Sequence, residues 1–198
     1  GNVMCKKETS YCNLGRLLNQ WLRDRLPSEL AGSFQHTSIA INKNYAGKLH
    51  RDARNVGPSI VKAFGCFEGG ELGYFAADGG REPLEKLDPE EHQARLVDVG
   101  AGLFLFDGRR GHWVNDFVGE RFSLVFFTCP LYERATSATR ASLIEAGFPS
   151  LETLERDRGS FTVLDVPPHC QFWPDDPQSR AQVTLSSGVY GSCEEELG

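Results

Sequence analysis

Arg121-Phe122-Ser123-Leu124-Val125-Phe126-Phe127-Thr128 reads as a β-strand with two different faces. Successive side chains on a strand point to opposite sides. Phe122, Leu124 and Phe126 therefore form one apolar row. Arg121, Ser123, Val125 and Phe127 form the other, and this row is expected to point into the protein. An arginine and a hydroxyl aimed inward need a reason, and the rest of the chain supplies candidates for it.

Outward from this strand the same period of two recurs. It appears in Thr37–Asn42, Ser59–Phe64, Glu71–Phe75, Arg95–Val99 and Leu103–Phe106, with glycines between them at Gly57, Gly65, Gly69-Gly70, Gly79-Gly80, Gly100, Gly102, Gly108, Gly111 and Gly119. Many short strands with glycine turns predict a mainly β protein with flanking helices, built as a sandwich or jelly roll. The 198 residues suit one domain, 1–198. Within it, residues 34–130 are expected to form the β core and residues 131–198 C-terminal helices and a tail.

At the N-terminal end, residues 10–26 predict an amphipathic helix packed on a sheet. Ser10 is the expected cap, Pro27 the stop, and Leu14, Leu17, Leu18, Trp21, Leu22 and Leu26 the apolar stripe. Beyond Cys129-Pro130, two helices are expected over Thr136–Ala146, capped by Ser137 or Thr139, and over Ser150–Asp157. The tail from Val166 is rich in proline and aromatics and is expected to wrap the surface without regular structure. Residues 76–94 are polar, and read as a lid or substrate loop or as a solvated connector.

The chemistry-bearing residues cluster in sequence order. His50 and Asp52 stand two apart and would point together, with Arg51 turned away. His112, after the Gly108–Gly111 turn, is the best third ligand. Two histidines and one carboxylate leave open positions on a metal, the pattern of non-haem iron(II) oxygenases. Arg121 and Ser123 would offer a fork and a hydroxyl to a carboxylate co-substrate, and Tyr45 a further donor. Each piece also has a plainer reading. An H-x-D triplet arises by chance, a lone His112 suits a structural role, and Arg121 could pair with Glu120 or Asp116.

Taken together, these stretches resemble the Fe(II)/2-oxoglutarate-dependent dioxygenase superfamily, whose core is a double-stranded β-helix (jelly roll). Leu49-His50-Arg51-Asp52 resembles the first metal motif. Phe67-Glu68-Gly69-Gly70-Glu71-Leu72 resembles the F-x-G-G-E-L turn. Phe106-Asp107-Gly108 through His112, then Gly119-Glu120-Arg121-Phe122-Ser123-Leu124-Val125, resembles the second metal motif and the co-substrate strand. The resemblance covers roughly residues 37–128. It implies that His50, Asp52 and His112 bind Fe(II) and that Arg121, Ser123 and Tyr45 hold 2-oxoglutarate. It also implies O2 as oxidant, with ascorbate as an accessory reductant. Related halogenases replace the carboxylate ligand with a small residue, so an intact Asp52 implies hydroxylation. His50-Arg51-Asp52-Ala53-Arg54-Asn55 is also similar to the H-R-D-x-x-N stretch of the TET/JBP group, which oxidises the methyl of 5-methylpyrimidines in nucleic acid. This makes Asn55 a substrate-binding candidate. The nine-residue interval from His112 to Arg121 is closer to prolyl-hydroxylase-like members.

Substrate class stays open between nucleic acid, a peptidyl proline and a small molecule. Trp113, beside His112, is a candidate to stack on a substrate ring, or else packs over the barrel mouth. A net charge of −6 does not favour a broad grip on phosphates, although Arg51, Arg54, Arg109 and Arg110 flank the motifs. Six scattered cysteines without a C-x-x-C pair argue against zinc and for free thiols. No membrane span, signal peptide or repeat is visible. A monomer in the cytoplasm or nucleus is expected. Two other readings use the same residues: a cupin-like metal barrel with different chemistry, and a non-catalytic binding module.

Overall fold

The period-two segments pair into antiparallel sheets. A computed structural model describes residues 9–28, 30–150, 171–175 and 183–185. Its elements are α1 (Thr9–Arg23), β1 (Ser38–Lys43), β2 (Val56–Gly69), β3 (Leu72–Phe75), β4 (Ala94–Val97), β5 (Gly102–Phe106), β6 (His112–Val114), β7 (Phe117–Thr128), α2 (Ser137–Glu145), β8 (Gln171–Pro174) and β9 (Val183–Leu185). A five-stranded sheet runs β1-β7-β2-β5-β8 and a four-stranded sheet runs β6-β3-β4-β9. The protein is mainly β, as expected.

Alternation along the strands sorts the core into layers. Val61, Ala63, Phe104 and Phe106 of the larger sheet meet Leu72, Tyr74 and Val97 of the smaller one, with Val125 and Val114 packed against them. The opposite face of the larger sheet, through Ile60, Leu103, Leu105, Leu124 and Phe126, meets Leu18, Trp21, Leu22 and Leu26. The N-terminal helix thus packs on a sheet as its stripe predicts. The stripe is narrower than expected, because Leu14 and Leu17 are exposed. Asn19 of this helix instead serves α2, donating to the Ala146 carbonyl at 2.8 Å.

Several expected boundaries are corrected. Ser10 lies inside α1, which already includes Thr9; the helix closes at Arg23, and one further turn carries the chain to Leu26. The cap of α2 is Thr136, whose Oγ1 accepts from Thr139 N at 3.2 Å, rather than Ser137 or Thr139. The described parts of the tail do form regular structure: β8 pairs with β5 and β9 with β4. The helix expected over Ser150–Asp157 lies, beyond Ser150, outside the described residues.

The largest correction concerns β2 and β7, which pair from Ile60↔Phe126 down to Gly69↔Phe117, through Gly65. Gly65 does not end the strand at Phe64. Its φ of +123° faces Arg121, and Gly119, with φ +107°, faces Phe67. A β-carbon at Gly65 would run into the Glu120 carbonyl, and one at Gly119 into the Cys66 carbonyl. The two glycines let the backbones approach and bend without unpairing. Pro58, which has no N–H, falls where the register shifts between Val56 and Ile60.

Of residues 76–94, those up to Gln93 form a loop with one 3-10 turn, Leu84–Lys86, and Ala94 opens β4; the stretch is not simply solvated. Leu87 and Ala94 are buried with Phe75, and Leu49, Leu84 and Trp113 pack against them on the outer side of the smaller sheet. Cys12, Cys66 and Cys129 are free thiols. No helix among the described residues is long and apolar enough to cross a membrane.

Candidate metal centre

The segment after β1 carries the first ligands from one sheet to the other. Asn44 begins it at φ +47°, a conformation asparagine tolerates. Its N–H donates to the Arg121 carbonyl at 2.7 Å and its Oδ1 accepts from Arg121 N at 2.9 Å. Gly47 then accepts from Val114 N at 2.8 Å. His50 and His112 close the segment with two reciprocal backbone hydrogen bonds of 3.0 Å. The ligand segment is thereby tied at one end to the arginine strand and at the other to β6, a short strand absent from the sequence reading.

That bridge sets the two imidazoles 4.2 Å apart between ring centres. The Nδ1 of His50 lies 2.7 Å from the Lys48 carbonyl and that of His112 lies 2.8 Å from the Arg110 carbonyl. A carbonyl can only accept, so each Nδ1 carries the proton and each neutral ring leaves Nε2 with a free lone pair. Both Nε2 atoms face Asp52, at 3.8 Å from Oδ1 for His50 and 3.9 Å from Oδ2 for His112. These gaps are too long for hydrogen bonds. Two metal–ligand bonds of about 2.1 Å span about 4.2 Å, and the three donor atoms lie within 4.8 Å of one another. Burial holds His112 below its ordinary pKa; the Arg110 carbonyl and the charges of Asp52 and Asp107 oppose this, and His50 adds to it. The neutral, ligating form is the one favoured at neutral pH.

The group is closed behind and open in front: the His112 side chain is 6% exposed, His50 46% and Asp52 37%. Gly108 packs on the carboxylate, and its carbonyl accepts from Asp52 N at 2.7 Å. Asn55, a substrate-binding candidate from sequence, donates from Nδ2 to Asp52 Oδ2 at 3.1 Å. Its amide steadies the carboxylate.

Arg121 is 2% exposed. Phe67 and Phe117 stand against its guanidinium at 5.4 and 5.6 Å, and Gly70 leaves the room its stem needs. Its Nε has no hydrogen-bond partner, and among the described residues it forms no ion pair. The pairing with Glu120 allowed by sequence does not form, since Glu120 pairs with Lys43 at 2.9 Å. Burial lowers the Arg121 pKa. Ser123 is buried on the same face of β7 and accepts from Asn42 Nδ2 at 3.2 Å, leaving its own proton free to donate. Tyr45 is 60% exposed; its ring and that of His50 both border Gly47, at 3.4 and 3.5 Å from where a β-carbon would stand.

Trp113 is not brought to this site. Strand alternation turns it from His112 to the outer side of the smaller sheet, where it covers Gly73 and lies 5.2 Å from Phe75. Three of the four flanking arginines are engaged by neighbours: Arg51 by Asp78, Arg109 by Asp107, and Arg110 by the Ala76 and Asp78 carbonyls.

Asp78 escaped the sequence reading. Its carboxylate accepts from Arg51 Nε and Nη2, from Gly80 N and from Gly111 N, each at 2.7 Å. Burial works to raise its pKa, yet the Arg51 fork and the two N–H groups outweigh this and hold it below the ordinary value. Its one signal was a carboxylate ahead of Gly79-Gly80, which suits an aspartate accepting from its own turn.

No protein-family model matches the chain, and no curated protein matches it.

Proposed function

We propose that the protein is an Fe(II)- and 2-oxoglutarate-dependent dioxygenase that hydroxylates a C–H bond. On this reading the two facing antiparallel sheets are a double-stranded β-helix core. The observation that carries it is Arg121: a buried guanidinium with no described anionic partner, on a strand bonded to the segment that bears His50 and Asp52. Leaving such a charge unpaired costs several kcal/mol, on the order of what a bound carboxylate would recover. The donor set fits the metal, since two neutral imidazoles and a carboxylate with open positions suit non-haem iron(II).

His50, Asp52 and His112 would hold the iron, which when bound supplies O2 activation coupled to decarboxylation of 2-oxoglutarate to succinate. The remaining work falls to the chain. Arg121 and Ser123 bind the distal carboxylate; Phe67 and Phe117 keep water from the guanidinium and strengthen its pairing. Asn55 and Gly108 orient Asp52. The open side at His50 and Asp52 admits the substrate, for which the methyl of a 5-methylpyrimidine in nucleic acid is our leading candidate.

Succinate formation in the presence of Fe(II), 2-oxoglutarate and O2 tests the assignment. We expect turnover in the wild type and its loss in His50→Ala and Arg121→Ala. Succinate formation persisting in both variants would overturn the reading.

A further inference from the structure

We infer that Asp78 and Arg51 are positioning residues for the metal centre, one clamp that fixes the two ligand segments relative to each other. The inference rests on the metal-site reading above and adds to it residues outside the ligand set.

The geometry is specific. Arg51 sits between His50 and Asp52, and Gly111 immediately precedes His112. One carboxylate binds both: Oδ1 takes Arg51 Nη2 and Gly80 N, and Oδ2 takes Arg51 Nε and Gly111 N. The Asp78 side chain is 1% exposed and that of Arg51 16%. Arg51 Nη1 also donates to the Glu82 carbonyl at 2.7 Å, and Arg110 Nη1 to the Asp78 carbonyl at 3.0 Å. The 76–94 loop is therefore docked on the motif, and its first turn supplies the anchor.

The pair also explains why an arginine stands between two ligands. A planar fork that grips both oxygens of a carboxylate fixes orientation as well as distance. A lysine would keep the charge and lose that constraint. Held away from the metal side by Asp78, Arg51 sets the direction in which His50 and Asp52 point.

The test is a Co(II) titration, followed by visible absorption, of wild type, His50→Ala, Asp78→Asn, Arg51→Lys and the Asp78→Asn/Arg51→Lys double variant. Thermal melts of the metal-free proteins run alongside. The wild type is expected to bind one Co(II) and His50→Ala none. Asp78→Asn and Arg51→Lys are expected to bind on the order of 10- to 100-fold more weakly, with an altered Co(II) spectrum. Breaking a buried pair lowers the melting temperature as well, less in Arg51→Lys, so affinity and spectrum are compared at a temperature where the melts show each variant folded. The double variant should be no worse than the poorer single one, because the pair acts as a unit. Should Asp78→Asn fail to fold, Arg51→Lys, which keeps the cation, carries the same comparison. Wild-type affinity and spectrum in a folded variant would overturn the clamp. Absence of Co(II) binding by the wild type would overturn the metal-site reading, and the clamp with it.

Discussion

Gly108 lies directly against Asp52. A β-carbon at position 108 would stand 3.2 Å from Asp52 Oδ2 and 3.2 Å from Asn55 Nδ2. The backbone at Gly108 is not in the left-handed region that only glycine favours, so an alanine there meets a neighbour rather than a strained backbone. The neighbour is the carboxylate that both imidazoles face.

Gly108→Ala is therefore expected to act on the site and spare the fold. Asp52, open on one side, can yield by a few tenths of an ångström. Unfolding free energy should change by less than about 1 kcal/mol, while metal affinity falls roughly tenfold or more. Denaturant titration of the metal-free protein and a Co(II) titration read the two effects separately. Unchanged affinity would mean that Gly108 does not position Asp52.

The sequence showed the strands, the layer face of α1 and the order of ligands, because all three follow from periodicity. Alternation alone pointed His50 and Asp52 together and turned Arg121 and Ser123 inward. It also placed Trp113 on the face opposite His112, a consequence that its nearness in sequence obscured. What stayed hidden depends on who approaches whom. Gly65 looks like a strand end until Gly119 is known to stand near it across the pair; Asn42 looks like an ordinary strand residue until register sets it opposite Ser123. Asp78 lies 27 residues from Arg51 and 33 from Gly111, and no local pattern joins them.

His36 gives the fold a defined acid sensitivity. It is buried among Phe34, Phe126 and Phe148, with Nε2 2.7 Å from Asn19 Oδ1. Burial, aided by the Arg23 charge, lowers its pKa from 6.5 to about 3. Between those values the unfolded chain takes up a proton that the folded one refuses, so stability is full above pH 6.5 and is lost as pH falls toward 3. The slope from this group approaches about 1.4 kcal/mol per pH unit. In His36→Gln, which can keep a donor to Asn19, this contribution vanishes. Urea unfolding of both proteins at pH 7, 6, 5 and 4 should show the variant gaining on the wild type at each acid step; parallel curves would mean that His36 titrates normally.

Arg121 carries the opposite kind of prediction, a gain in stability bought by a loss of binding. Its guanidinium is buried without a described counter-ion, and only two aromatic faces offset its desolvation, at about 0.5–2 kcal/mol each. Methionine fills similar space without the charge. Arg121→Met should therefore leave the ligand-free protein as stable or more stable, by up to about 1 kcal/mol, or about 2–4 °C in Tm for a domain of this size. With Mn(II) present throughout, added 2-oxoglutarate should raise the Tm of the wild type and leave that of Arg121→Met where Mn(II) alone sets it, because only a group that binds the folded state stabilises it. A structural arginine behaves in the reverse way. Its removal would cost more than about 1 kcal/mol, and 2-oxoglutarate would shift neither protein. That pattern would return Arg121 to a role in packing and remove the main support for a dicarboxylate site.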